Sequence, residues 1–333
     1  MNLLEPVTTN TQYTYRPARR EDMPSVGQLL VAITAQHPAT YAPALADLYS
    51  DFEDPWCNPE TDSRVAVTPA GAIVAYARVF ANPQPVDETR AHLDDDIHPA
   101  HRNPGLTEPL LDWLEARAGE RLREISAAFP GHEPLVLQLW CGDDEHDRIA
   151  SYQQLGFRPV RYAYRMRRDL RLPIPDRPLP DGLTLQTYAP ELDAGLLAAR
   201  NESFSDAWNF DPVSPSDWQQ FFIQRADFRP DLSYAVLEGD TVAAFSINRF
   251  DPIAAERTRL KVGWIGSLGT RRSWRKRGLA SALLVASLRA FQAARLEYAG
   301  LGVDTQSPTG AVALYEGLGF KPYMRIITFH KTL

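Results

Sequence analysis

The feature that most constrains this chain is a repeated segment. SYQQLGF (151–157) and LYEGLGF (314–320) carry Tyr, Leu, Gly and Phe in one frame, and Tyr152 is separated from Tyr315 by the same interval as Gly156 from Gly319. The same order of elements precedes each copy and a terminal strand follows it, as expected of a duplicated domain. In the first half, 14–30 reads as a strand, a polar turn and an amphipathic helix. Residues 63–80 read as a strand pair, about 107–125 as a helix, and 135–140 as an apolar strand. In the second, 183–204 supplies the opening strand and helix, 232–250 a hairpin turning at Gly-Asp, 262–269 a strand and about 279–296 a helix. Four prolines and a glycine within DLRLPIPDRPLPDG, 169–182, suit an extended, stiff connector. The spacing therefore predicts domains over 13–168 and 183–333. Each is an α/β (α+β) unit with a mixed, mostly antiparallel twisted sheet flanked by helices. A duplicated chain supplies its own domain pairing, so a monomer with an internal pseudo-dimer is expected.

Composition narrows the function classes. With 44% hydrophobic and 23% charged residues the chain is ordinarily globular, and its 333 residues suit two cores. A net charge of −7 argues against general binding to nucleic acid or anionic membranes. No apolar run approaches the ~20 residues that cross a bilayer, and the start lacks a basic segment followed by an apolar one. Cys57 and Cys141 are too few for a disulfide framework or a sulfur-rich metal site, so no metal and a cytoplasmic location are expected.

The richest stretch is SLGTRRSWRKRGLASALLVASLRAF, 267–291. An apolar strand enters a loop in which five of the seven residues Arg271–Arg277 are basic, and Leu279, Leu283, Leu284, Leu288 and Phe291 then recur at helical spacing. A helix start offers free backbone N–H groups and the positive end of the dipole, and Gly278 lets the backbone approach a ligand. Neither GxxxxGK[ST] nor GxGxxG is present, which excludes the usual nucleotide loops. Arg275-Lys276-Arg277-Gly278-Leu279-Ala280 reads R-x-x-G-x-A. Further on, Ala311-x-x-Leu314-Tyr315-x-x-x-Gly319-Phe320 follows the strand 298–303. Ser307-Pro308 offers a helix start and Gly319 a left-handed helix end.

These two motifs, in this order, resemble the GNAT superfamily of acyltransferases, in its tandem form similar to the mycothiol synthase branch. The resemblance implies acetyl-CoA as cofactor. It gives the pyrophosphate to backbone amides of Arg275, Lys276, Arg277, Gly278, Leu279, Ala280 and Ser281, and the pantetheine arm to the main chain of Leu268, Gly269 and Thr270. Ser307, where the family often has Asn, becomes a further cofactor contact. Tyr315 becomes the group that assists departure of the thiolate. The reaction implied is transfer of an acetyl group to a primary amine of a small molecule by direct attack. The alternatives are protein amines as acceptors, or a non-catalytic acyl-CoA-binding or regulatory module. A lysine-like amine is under ~1% neutral at pH 7, so a carboxylate acting through water is expected to help. Glu202 is the first candidate, with Asp206 and Asp304 behind it. The mycothiol branch carries a glutamate at the position that is Gly263 here. Trp208, Trp218, Phe221 and Phe222 are candidates to line the acceptor site, with core packing the commoner fate of such residues. The first half matches the loop only in outline. Pro104 removes a donor, Thr107 replaces the small residue, and Asp94, Asp95 and Asp96 would repel phosphate.

Overall fold

The computed structural model describes residues 12–36 and 44–333. It divides into two compact units: the described residues up to Val160 together with Thr328–Leu333, and Arg161–Ile327. Among the described residues no helix is long and apolar enough to cross a membrane.

The first unit orders its strands as β1 (Thr14–Arg16), β2 (Ser63–Val67), β3 (Ile73–Ala81), β4 (Thr89–Ile97) and β5 (Leu135–Gly142). Helices α1 (Met23–Gln36), α2 (Leu45–Phe52), α3 (Pro59–Asp62), α4 (Pro104–Ala128) and α5 (His146–Gln154) accompany them. Strand β4 was hidden in the sequence by three consecutive aspartates. It alternates nonetheless, with Thr89, Ala91, Leu93, Asp95 and Ile97 all buried. Two of the three charges are paired: Asp94 accepts from Arg78 at 2.6 Å and Asp95 from Arg148, while burial and the neighbouring Asp94 push the Asp96 carboxyl up to about 7. Helix α4 begins and ends about three residues beyond its expected bounds and buries Leu106, Leu110, Leu114 and Leu122.

The second unit runs, from one edge, β12 (Lys321–Thr332), β6 (Arg158–Asp169), β11 (Tyr298–Asp304), β10 (Val262–Thr270), β9 (Thr241–Arg249), β8 (Tyr234–Glu238) and β7 (Thr184–Thr187). Its helices are α6 (Asp193–Phe204), α7 (Pro215–Trp218), α8 (Pro252–Thr258), α9 (Leu279–Ala293) and α10 (Ala311–Gly317). On one face, Leu284, Leu288 and Phe291 of α9 and Tyr315 of α10 pack against Ile265, Leu301 and Val303. On the other, Leu196 and Ala199 of α6 and Trp218 of α7 pack against Phe245 and Ile247.

The sequence placed Arg161–Arg168 at the end of the first half and Asp169 at the start of the connector, and here the structure divides the chain differently. Residues 163–169 pair antiparallel with β11, from Asp304↔Ala163 to Tyr298↔Asp169. The side chains explain it, because Met166 and Leu170 are buried in the same cluster as Leu288 and Phe291. The buried Arg168 then donates to the carbonyls of Leu318, Leu172 and Pro173 at 2.7, 3.3 and 2.7 Å. The proline-rich connector is thus pinned rather than loose, with Ile174 and Leu179 against apolar clusters of this unit. The last residues of β12 belong instead to the first unit, where Leu333 N donates to Leu135 O.

Candidate active site

The site begins with a parallel pair that stops early. Strands β10 and β11 pair from Val262↔Tyr298 to Ile265↔Leu301 and no further. Strand β10 nevertheless continues to Thr270, held on its other side by β9 through Leu268↔Ser246, Gly269↔Phe245 and Thr270↔Ala244, after a bulge at Gly266. Strand β11 continues to Asp304 against β6. The two strands therefore part company, and the β11-facing edge of Gly266–Gly269 keeps main-chain groups with no strand beside them. Such an edge accepts an extended, amide-bearing ligand as an added strand. Gly269 is required here: a Cβ would lie 2.5 Å from the Phe245 ring and 3.0 Å from Cβ of Ser203. The hydroxyls of Thr270 and Ser203 are buried without a partner, polar capacity left over at the end of this edge.

The strand runs into the basic loop. Lys276 takes φ 61° and Gly278 φ 86°, both left-handed, and Gly278 caps α9 with no side-chain bond to the first turn. Holding a lysine there costs about 1–2 kcal/mol, so the surrounding structure must impose the turn. The amides of Leu279, Ala280 and Ser281 are left without intrahelical acceptors, facing a loop whose Arg272, Lys276 and Arg277 are exposed. Such a set of backbone donors beside exposed cations suits an anion, although Arg277 also lies 3.7 Å from Glu238.

The backbone amide of Arg275, expected among the cradle donors, is bonded to Arg272 O at 3.2 Å, and its side chain turns toward α6. Its guanidinium grips Asp206 at 2.6 and 3.2 Å and donates to the carbonyls of Thr270 and Ser203 at 3.2 and 2.9 Å. The ion pair holds the Asp206 carboxyl below its ordinary range and raises Arg275 in turn. Glu202 behaves alike: it accepts from Arg271 Nε at 2.6 Å and from the Arg272 amide at 3.1 Å. Both oxygens are committed to the loop, an arrangement suited to bracing it and poorly suited to taking a proton from an amine. Asp304, the remaining candidate, is clasped by Arg161 at 2.6 and 3.0 Å. All three carboxylates singled out in the sequence are therefore arginine-bound. We expect Arg275→Ala to weaken acyl-CoA binding about tenfold, some 1.4 kcal/mol, with kcat nearly unchanged. Titration calorimetry of the variant against wild type checks this.

Tyr315 lies on α10, buried against Phe320 in an edge-to-face contact of 6.0 Å between ring centres. Burial pushes its hydroxyl up to about 12. Among the described residues no hydrogen bond engages that hydroxyl. Helix α10 starts three residues later than Ser307-Pro308 suggested. Ser307 instead makes a turn, its amide bonded to Asp304 O and its hydroxyl to Thr309 at 2.8 Å, and left-handed Gly310 caps the helix. Gly319, at φ 85°, ends the helix as its type requires.

Packing decides two further positions. Trp218 is core, stacked on Phe222 with ring centres 4.8 Å apart, whereas Trp208 stays partly exposed beneath Arg161. Gly263 faces α9, where an added Cβ would lie 2.8 Å from Phe291, so no carboxylate could stand there. Among the described residues no cluster of His, Cys, Asp or Glu suits a metal ion.

Residues 194–320 match the model of the acetyltransferase (GNAT) family. A mycothiol acetyltransferase of Salinispora tropica is 30% identical over 264 residues, covering 78% of this chain and 78% of that protein. The chain belongs to the GNAT acetyltransferase family. A second mycothiol acetyltransferase, of Frankia casuarinae, is 27% identical over 98% of this chain and 89% of its own length. The fold matches a GCN5-related N-acetyltransferase from Sphaerobacter thermophilus with TM-score 0.73 and 24% identity, over 98% of this chain and 97% of that one. It also matches a tandem GNAT protein from the clavulanic acid biosynthesis pathway with TM-score 0.68 and 14% identity, over 96% and 98%. The chain is thus a tandem GNAT acyltransferase that uses an acyl-CoA donor, and its parted strands, backbone cradle and unengaged tyrosine lie within the matched span.

The first unit shows the same parting without the opening. Strands β4 and β5 pair only from Thr89↔Leu135 to His92↔Gln138. Tyr152 donates to both oxygens of Asp95 at 2.8 and 2.9 Å and accepts from Arg148 Nε at 3.0 Å. Arg148 also bonds Asp95 and both oxygens of Glu145, whose Oε1 accepts the Gly142 amide at 2.9 Å. Each polar group of this counterpart tyrosine is used internally.

Proposed function

We propose that this protein transfers an acetyl group from acetyl-CoA to a primary amine of a small molecule, by direct attack of the amine on the thioester. The observation that carries the reading is the free inner edge of β10 beyond Ile265, with the cradle at Gly278–Ser281 at its end and Tyr315 in the core beside Leu301 and Val303. Backbone donors of Gly266–Thr270 would orient the thioester and stabilise the oxyanion, and the amides of Leu279–Ser281 would take the pyrophosphate. Tyr315, whose hydroxyl stays protonated across the working range, would donate to the sulfur as negative charge grows there. Complete proton transfer from such a weak acid to a thiolate is uphill by several kcal/mol, so the hydrogen bond rather than the transfer is its contribution. The acetyl group and the small-molecule acceptor are supported by the mycothiol acetyltransferase names of the relatives. The thiol-sugar acceptor is not carried over, because the position of that branch's glutamate is the core-facing Gly263.

Titration of acetyl-CoA into the protein tests this directly. One site is expected, together with thiol release when an amine is added. With Tyr315 protonated far above neutrality and Glu202, Asp206 and Asp304 each held by an arginine, kcat/KM should rise about tenfold per pH unit up to the acceptor's own pKa. Absence of acetyl-CoA binding would overturn the reading.

A further inference from the structure

Strand β6 alternates in a way the donor site does not explain. Its even positions Tyr164 and Met166 pack toward α9 and α10, while Arg161, Arg165 and Arg167 project to the opposite face. On that face the neighbouring strands present Gly300 and Gly302 from β11 and Trp264 from β10. A Cβ at Gly300 would lie 3.0 Å from the Trp264 ring, and one at Gly302 would lie 3.2 Å from Arg165 Nη1. The glycines leave a floor onto which the larger side chains lie down. The guanidinium carbon of Arg165 sits 5.8 Å from the Trp264 ring centre, and that of Arg167 sits 4.6 and 5.1 Å from Tyr298 and Tyr323. Stacking of this kind fixes a guanidinium plane while leaving its N–H edges free for a planar or tetrahedral anion.

Charge pairing separates these two arginines from the rest. The carboxylates that β6 and β11 offer on this face are Asp169 and Asp304, and each has its own arginine: Arg171 at 2.6 Å and Arg161 at 2.6 Å. Among the described residues neither Arg165 nor Arg167 has an ion pair. In a chain of net charge −7, two adjacent cations without carboxylates form a strong local exception. Their place in the sheet is specific. Arg165 is the register partner of Gly302, the first β11 residue past the last pair with β10, Ile265↔Leu301. It therefore lies where the strands begin to part. The pyrophosphate cradle is reached only after β10 has run from Ile265 to Thr270, about 15 Å further on at strand rise, so these arginines serve another anion.

We propose that Arg165 and Arg167 bind a carboxylate or phosphate carried by the acceptor, so that the substrate is an anionic amine and polycationic amines are repelled. The proposal rests on the amine-acetyltransferase reading above and supplies its substrate class. The test uses matched probes at saturating acetyl-CoA, with thiol release as readout: 4-aminobutyrate against butylamine, and glucosamine 6-phosphate against glucosamine. The expected result is at least a tenfold higher kcat/KM for the anionic member of one pair, which also tells carboxylate from phosphate. Arg165→Ala and Arg167→Ala should each remove most of that advantage through KM with kcat kept, while Arg165→Lys restores part of it. Equal or faster turnover of the neutral members, or an advantage that survives both substitutions, overturns the proposal. If no probe reacts although acetyl-CoA binds, the amine reading fails on its own. Direct titration of glucosamine 6-phosphate against glucosamine then decides the anion site: selective binding lost in Arg165→Ala supports it, and equal binding refutes it.

Discussion

Tyr315→Phe is expected to lower kcat about 10²- to 10³-fold, the usual effect of deleting one donor aimed at developing charge, while acyl-CoA binding stays within about twofold. The substitution removes a single oxygen from a residue whose ring packing against Phe320 is preserved. No internal hydrogen bond is lost with it, so stability should change by less than about 0.5 kcal/mol. The control is Tyr152→Phe, the same change at the same place in the repeat. There the hydroxyl holds Asp95 and Arg148, and its removal should cost about 1–3 kcal/mol with little effect on rate. The pH profile separates roles further. A tyrosine near its ordinary pKa would lose its proton, and the enzyme its rate, near pH 10. With the hydroxyl pushed up to about 12, no alkaline fall from Tyr315 should appear below about pH 11. A Tyr315→Phe enzyme within about threefold of wild-type kcat would remove the tyrosine from the mechanism.

What the sequence made legible was whatever a local pattern controls. The duplicated tyrosine helix, the strand entering the basic loop, and the glycines at 278 and 319 are set by short-range rules of turn and helix ends, and the structure shows them there. What stayed hidden depends on partners distant in sequence. The strand through the aspartate run 94–96 has no local signature, because Arg78 and Arg148, which pair with Asp94 and Asp95, lie on other elements. Arg275 looks like a phosphate ligand in a list of basic residues, and only the position of α6 turns it toward Asp206. Glu202 is an acid near an acceptor helix until Arg271 appears opposite. The β6 arginines read as the tail of the first half, because nothing local says that a strand ahead of a linker will line β11 of the second unit. An alternation of arginines with Tyr164 and Met166 was the available signal.

Asp95→Ala should be among the most destabilising single changes in the first unit, at about 3 kcal/mol. Removing one partner of a buried ion pair typically costs 3–5 kcal/mol, and the lower end applies because Glu145 still holds Arg148 at 2.9 Å. Asp95 and Tyr152 are both buried, so the orphaned guanidinium and hydroxyl could not all reach water. The repeat frame shows what the second unit has instead. Arg148 stands four residues before Tyr152 as Ala311 stands before Tyr315, and Asp95 stands seven before Arg102 as Leu268 stands before Arg275. The first unit thus carries an ion pair across its parted strands where the second carries an apolar residue and a small one. Combining Asp95→Leu with Arg148→Ala removes both charges at once, so it should be less destabilising than Asp95→Ala alone by about 1–3 kcal/mol, a coupling typical of contacting groups. Urea unfolding of the two variants against wild type measures this. Acetyl-CoA titration of the double variant then reads whether the emptied counterpart has gained a second site. If Asp95→Ala proves nearly neutral, the network is not what fills the first unit's opening, and its closure must rest on Pro104 and the acidic surroundings instead.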